Sequence, residues 1–168
     1  MHIRVPAVLV LVLLSGASSA QTAPKSPSRV DLVTVIKKER TLELLDHGNV
    51  IKTSRVALGG DPVGPKMRQG DHRTPEGVYV LDSRNAHSKF YKVIHISYPN
   101  AQDRAAARKS GVSPGGDVFV HGLPNGYRFV GVAHRLKDWT DGCIAVTDEE
   151  MDEIWNAVAD GMPIEIRP

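Results

Sequence analysis

The sequence predicts a mainly β domain with two short helices, and three observations carry that expectation. Apolar residues alternate with polar ones in short runs, the period of strands with one buried face. The 15 glycines and 11 prolines among 168 residues fall largely between those runs and cut the chain into short pieces. Only two stretches carry both a start and a stop signal for a helix. The length suits one domain. With 41% hydrophobic and 24% charged residues, the composition is that of a globular chain, which excludes a disordered tail, a collagen-like repeat and a coiled coil.

The elements follow in order. Leu32, Thr34 and Ile36 alternate, as do Leu42 and Leu44, on either side of Lys38-Glu39-Arg40. His47-Gly48-Asn49 signals a tight turn before Val50-Ile51 and the run 55–58, so residues 30–58 read as a three-stranded antiparallel meander. Residues 59–77 hold five glycines and three prolines, too many breakers for an element, and a long loop inside a compact domain is usually functional. Strands are expected over 78–81 and 92–98, the second alternating at Val93, His95 and Ser97. Asn100 caps a helix to Lys109, with Asp103 in its first turn and Gly111 ending it. Residues 117–120 (DVFV) read as a strand running directly into His121-Gly122, and 123–141 as a long loop or hairpin excursion. A very short strand over 144–146 leads to a capping box, Thr147 at the N-cap and Glu150 at N3. That box opens a helix to about Ala159 with Met151, Ile154, Trp155 and Val158 on one face. Gly161 stops it, and 163–166 form the last strand.

Charge narrows the function. The net charge of +2 lacks the clustered basic excess of a nucleic-acid binder, so no nucleic-acid partner is expected. Only nine residues are aromatic, which argues against a large aromatic-lined cavity. The first twenty residues, MHIRVPAVLVLVLLSGASSA, have the form of a secretory signal. Arg4 supplies the positive start, 5–14 is an apolar run interrupted only by Pro6, and Ser18 and Ala20 are small residues at the −3 and −1 positions. The run is well short of the roughly 20 residues that cross a bilayer. Residues 1–20 are therefore expected to be a signal peptide cleaved after about Ala20, with no stable membrane anchor afterwards, 21–29 a polar linker and 30–168 the folded domain.

Export makes Cys143 informative. It is the sole cysteine, so no intramolecular disulfide can form, and a lone thiol in an oxidising compartment invites a chemical role. The stretch His121-Gly122, a loop, then Thr140-Asp141-Gly142-Cys143-Ile144 places His121 and Cys143 at strand edges, where a sheet positions reactive groups rigidly. An imidazole that takes the thiol proton makes the sulfur a nucleophile. A glycine before the cysteine lets backbone N–H groups approach the oxyanion of a tetrahedral intermediate. Singly, His121 reads as a core histidine, Gly142 as a turn glycine and Cys143 as an inert thiol; jointly they read as a Cys/His site.

The stretch VFVHG…DWTDGCIAV resembles the L,D-transpeptidase catalytic domain (YkuD-type) family. The segments GDHRTPEGVY (70–79) and HISYPN (95–100), and the GGD before the His121 strand, fit the same family. The resemblance runs from about Asp31 to Ile166 and implies a curled mixed sheet or β-sandwich over 30–168. It assigns Cys143 as the nucleophile that forms a thioester with the diaminopimelate carbonyl of a peptidoglycan stem peptide, and His121 as general base. The Gly122 carbonyl would orient the imidazole, as the third member of a triad does. The Gly142 and Cys143 amides would be the oxyanion donors, and Thr140 fills the family's Ser/Thr position. Asp141 stands where many members have His, Ala145 where many have Asn or Arg, and 21 residues separate His121 from Cys143. These departures resemble the YafK-like branch, which implies a periplasmic enzyme and includes an amidase that releases a lipoprotein from the wall.

Other side chains carry weaker expectations. Arg73, Arg128 and Arg135 are candidates to hold substrate carboxylates, since guanidinium binds them bidentately. His134 reads either as a second imidazole near Cys143 or as a solvated loop residue. Asp138 and Asp141 are candidates for the amino group of diaminopimelate. His72 reads as an isolated loop histidine. No His-x3-His or Cys-x2-Cys spacing occurs, so no metal and no cofactor are expected. The first reading is an exported cysteine acyltransferase. The rivals are an L,D-carboxypeptidase or amidase that resolves the same thioester with water, and a non-catalytic wall-binding module. The expected partners are diaminopimelate-containing stem peptides and a wall-linked lipoprotein; the oligomeric state is not legible.

Overall fold

A computed structural model describes residues 30–168. The expected signal peptide over 1–20 and linker over 21–29 lie outside the described residues. Three strands come first, β1 (Leu32–Ile36), β2 (Thr41–Asp46) and β3 (Asn49–Arg55), paired antiparallel in the expected meander. Then come β4 (Gly77–Asn85), β5 (Val93–Ile96), helix α1 (Ala101–Lys109), β6 (Phe119–His121), β7 (Ile144–Ala145), helix α2 (Asp148–Ala157) and β8 (Met162–Arg167). The strands form one curled mixed sheet in the order β3-β2-β1-β8-β4-β5-β6-β7. The last strand thus enters the middle, parallel to β1 and antiparallel to β4, and joins the amino-terminal meander to the rest.

Alternation puts Val33, Val35, Leu42 and Leu44 on the same buried face as Leu81, Ile96, Ile164 and Ile166. Met151 and Ile154 of α2 close this core, with Trp155 packed at its border. Burying each such aliphatic side chain stabilises the fold by about 1.5–3 kcal/mol. Both helices start on full capping boxes: Thr147 with Glu150 as the sequence indicated, and Asn100 with Asp103, where the sequence indicated only the cap.

Several details differ from expectation: the strand expected over 78–81 runs on to Asn85, and the one expected over 117–120 starts at Phe119 and takes in His121. The third strand ends at Arg55, and the chain then leaves β2 to bridge Ala57 to Ala145 and Gly59 to Thr140. The helix α2 ends at Ala157, where the Val158 N–H closes the last turn on Ile154 O at 3.0 Å. A third short helix exists: Arg128–Leu136 is 3-10 in character and broken at Gly131 (φ +48°). Tight 3-10 turns carry no 3.6-residue periodicity, which is why that stretch read as a loop.

Candidate active site

The parallel pairing of β6 with β7 aligns Val120 with Ile144 and His121 with Ala145. Side chains alternate along strands, so His121 and Cys143, the residue just before β7, share a face. Both open onto one cavity of about 540 Å³, together with Lys66, His72, Phe90, Asp117, Phe119 and Trp139. Three of the chain's few aromatic residues therefore gather here, against the expectation from composition. The walls come from four regions distant in sequence: the loop over 59–77, Phe90 between β4 and β5, the approach to β6, and the end of the long excursion before β7.

His121 is 1% exposed, with the Phe90 ring centred 4.2 Å from its own. Its Nδ1 donates to the Gly122 carbonyl at 2.7 Å. A carbonyl only accepts, so this bond places the imidazole proton on Nδ1 and leaves the Nε2 lone pair free. Gly122 is itself tightly held: its N–H donates to Tyr91 O at 2.9 Å, and a Cβ there would lie 2.8 Å from an Asp148 oxygen. Asp148 also accepts the Leu123 N–H at 2.9 Å and so anchors the end of β6 from the first turn of α2.

Cys143 is partly exposed, and its thiol donates to Asp117 O at 3.7 Å. Asp117 adopts φ +56°, a left-handed conformation rare for a residue with a Cβ. Burial pushes the thiol up to about 11, although a hydrogen bond from the Phe119 backbone and the Lys66 charge pull the other way. Burial also pushes His121 down to about 4, with His134 adding to the effect and the Gly122 carbonyl opposing it. Burial thus favours the uncharged forms of both groups, a thiol and an imidazole that line one cavity, over a preformed ion pair.

Thr140 shapes the turn before the cysteine. Its hydroxyl donates to Cys143 O at 2.7 Å and accepts the Gly142 N–H at 3.1 Å. The Gly142 amide, expected as an oxyanion donor, is thus occupied by Thr140, while the Cys143 N–H bonds to none of the described residues. Gly142 has φ +128°, and a Cβ there would stand 2.6 Å from Arg73 O, so no other residue fits without displacing backbone. Asp141 is exposed at the cavity mouth, 2.8 Å from His72 Nδ1. His72, read from the sequence as an isolated loop histidine, is in fact part of the site.

Other expected contacts are not brought to the cavity. The Arg73 guanidinium pairs with Asp61 at 3.2 Å, and Arg135 pairs with Glu150. Arg128 pairs with Glu149 at 2.7 Å on the surface. Asp138 is structural: it pairs with Arg40 at 2.9 Å and accepts the Leu58 N–H at 2.9 Å. His134 is neither beside Cys143 nor solvated. It is buried in a neighbouring apolar pocket of about 210 Å³ with Leu123, Tyr127, Val130 and Trp139, where burial lowers it to about 4. Sequence reasoning passed over Lys66, Phe90 and Asp117; the only signal for Lys66 was its place in a breaker-rich loop. Among the described residues, Asp31, Asp46 and His47 bring potential metal-ligand atoms within 4.8 Å, on the β2–β3 side of the molecule rather than at this cavity.

Comparison with known proteins agrees with this architecture. The family model of the L,D-transpeptidase catalytic domain (YkuD) matches residues 30–166. The Escherichia coli (strain K12) protein named "Putative L,D-transpeptidase YafK" is 29% identical over 157 residues, 86% of this chain and 56% of that protein. The chain thus spans about half the length of the curated relatives it matches. Among solved structures, the helical cell shape determining protein Pgp2 from Campylobacter jejuni is similar in fold, with a TM-score of 0.61 and 21% identity over 83% of this chain and 48% of that one. An L,D-transpeptidase from Xylanimonas cellulosilytica is similar too, with a TM-score of 0.52 and 16% identity over 85% of this chain and 62% of that one. With its curled mixed sheet and the matched span covering nearly all of the described residues, this chain belongs to the L,D-transpeptidase catalytic domain family.

Proposed function

We propose that this chain is an exported, periplasmic cysteine acyltransferase that acts on diaminopimelate-containing peptidoglycan stem peptides through a thioester on Cys143. The observation that supports it best is the opening of Cys143 and His121 onto one cavity, with His121 Nδ1 committed to Gly122 O and Nε2 left to accept a proton. Sγ attacks the carbonyl carbon of the diaminopimelate residue. As the C–S bond forms, the thiol proton passes to Nε2 and the carbonyl electron pair moves onto oxygen. Collapse breaks the amide bond, and the imidazolium returns its proton to the nitrogen of the departing D-amino acid. The amine of a second stem peptide then attacks the thioester and gives its proton to His121, which passes it to the leaving sulfur. Burial favours the uncharged forms of both groups, so this reading assigns the proton transfer to the attack itself. On this reading the charged end of diaminopimelate is met by Asp141 and His72, which lie 2.8 Å apart in the same cavity.

The test is to incubate the purified protein with disaccharide-tetrapeptides and with a wall-linked lipoprotein, and to weigh the products. Dimers with a 3–3 link are expected from the intact protein and from no Cys143→Ala sample. Shortened monomers alone, or release of the lipoprotein alone, would replace transfer with hydrolysis at the same thioester. Wall binding equal in both proteins with no product from either would leave only the non-catalytic module.

A further inference from the structure

The loop over 59–77 carries an ammonium group into the Cys143 cavity. The Lys66 side chain is only 4% exposed, and a buried cation is costly unless it is paired. Nζ donates to Asp71 Oδ1 at 2.7 Å and to Arg68 O at 3.2 Å, which uses two of its three protons. Asp71 is saturated by the same loop: it also accepts the Met67, Arg68 and Arg73 N–H groups at 2.7, 3.0 and 3.1 Å. Lys66 forms part of the cavity wall, and its Nζ stands 3.8 Å from where a Cβ on Gly142 would sit. The third proton has no acceptor among the described residues, and the ammonium stands close to Gly142.

The second observation concerns the Gly142–Cys143 peptide. Acyl transfer through a tetrahedral intermediate needs donors aimed at the oxyanion. Thr140 Oγ1 occupies the Gly142 N–H, so the backbone offers the Cys143 N–H without it. We propose that Lys66 is a catalytic residue whose ammonium completes the oxyanion site, donating a hydrogen bond beside the Cys143 N–H to the acyl oxygen as sulfur adds. The inference rests on the thioester reading above. Electrons balance without any proton leaving Lys66: the S–C bond forms, the carbonyl π pair moves to oxygen, and the thiol proton goes to His121. The same charge favours negative charge at the sulfur, in line with its downward pull on the Cys143 thiol.

The test compares two reactions of the same thiol in the full chain. Acylation by p-nitrophenyl acetate builds an oxyanion, whereas alkylation by iodoacetamide builds none. Lys66→Met is expected to slow acylation by about 10²–10³-fold and alkylation by less than about tenfold, with Lys66→Arg recovering part of the acylation rate. Asp71→Asn, which weakens the loop but keeps the ammonium, is expected to lower the melting temperature while retaining more acylation than Lys66→Met. With a disaccharide-tetrapeptide, Lys66→Met should lower kcat and leave KM unchanged. Equal slowing of acylation and alkylation, acylation within about threefold of wild type, or an Asp71→Asn protein as slow as Lys66→Met would overturn the assignment. So would a rise in KM at unchanged kcat, which would give Lys66 to a substrate carboxylate. A wild-type thiol that p-nitrophenyl acetate never acylates would remove the thioester reading along with it. If Lys66→Met does not fold, Lys66→Arg and Asp71→Asn decide the question by the same ratio of acylation to alkylation.

Discussion

The β2–β3 hairpin and the β6–β7 pair are held together in different ways. The hairpin strands have six and seven residues, joined by a short turn and paired along their length, and β3 is a sheet edge with Val50 and Ile51 exposed. The β6 and β7 strands have three and two residues. They depend on bonds from elsewhere: Asp148 to the Leu123 N–H, the reciprocal Ala57–Ala145 pair at 2.9 Å, and Asp138 to the Leu58 N–H. One region is local, repetitive and forgiving. The other is an assembly of short pieces in which each buried polar bond fixes the position of a reactive group, so the same kind of substitution should cost more there.

Matched substitutions test that contrast. The largest gap is expected between two histidines. His121→Gln should lower kcat/KM by about 10²–10⁴-fold, the usual worth of a general base, while His47→Asn in the exposed hairpin turn leaves it unchanged. Equal effects would break the comparison. Next come two glycines with positive φ. Gly142→Ala meets Arg73 O at 2.6 Å and should cost about 3 kcal/mol in urea unfolding, whereas Gly48→Ala, with nothing within 4 Å, should cost about 1 kcal/mol. Two carboxylates follow. Asp148→Ala orphans the buried Leu123 N–H and should cost about 1–3 kcal/mol; Asp31→Ala, which releases an exposed His47 N–H, should cost under about 0.5 kcal/mol.

The smallest differences are those of pH. Burial holds His121 and His134 down to about 4, so their unfolded forms take up protons first. Their contribution is complete above the ordinary value of 6.5 and is lost as pH falls towards 4. Asp71 is also depressed, to about 2, because the Lys66 hydrogen bond and three backbone N–H groups outweigh a burial that alone would raise it. Its contribution is present above 3.8 and lost between there and about 2. His47 has the opposite sign: the Asp46 hydrogen bond raises it, so its contribution is present below its unfolded value and lost as pH rises through the raised one. Urea midpoints measured from pH 8 to pH 2 should fall in two stages. His121→Gln should flatten the first, Asp71→Asn the second, and His47→Asn neither.

The comparison also explains what could be read in advance. The hairpin, the Asn100 cap, the Thr147–Glu150 capping box and the positions of His121 and Cys143 at strand edges rest on local patterns, and they were legible. The insertion of β8 between β1 and β4 rests on pairing across the whole chain, for which Ile164 and Ile166 carry no address. The cavity walls were legible only in part. The breaker-rich loop over 59–77 announced a functional segment, but nothing local marks Lys66 as inward and Arg73 as outward. Arg73 and Arg135 are candidates only through the fork a guanidinium offers a carboxylate, and the structure pairs them with Asp61 and Glu150 instead. The loss of the Gly142 N–H to Thr140 was hidden because a Ser/Thr–x–Gly–Cys motif does not say where the hydroxyl points.

The account turns on a neutral thiol that loses its proton to His121 only as it attacks. The most direct measurement is the pH dependence of Cys143 alkylation by iodoacetamide, followed by intact mass. The rate should climb steadily from pH 6 towards the raised thiol value of about 11, with no plateau near neutrality. A rate already at its maximum between about pH 5 and 8, the behaviour of a thiolate held by a charged imidazole, would contradict it.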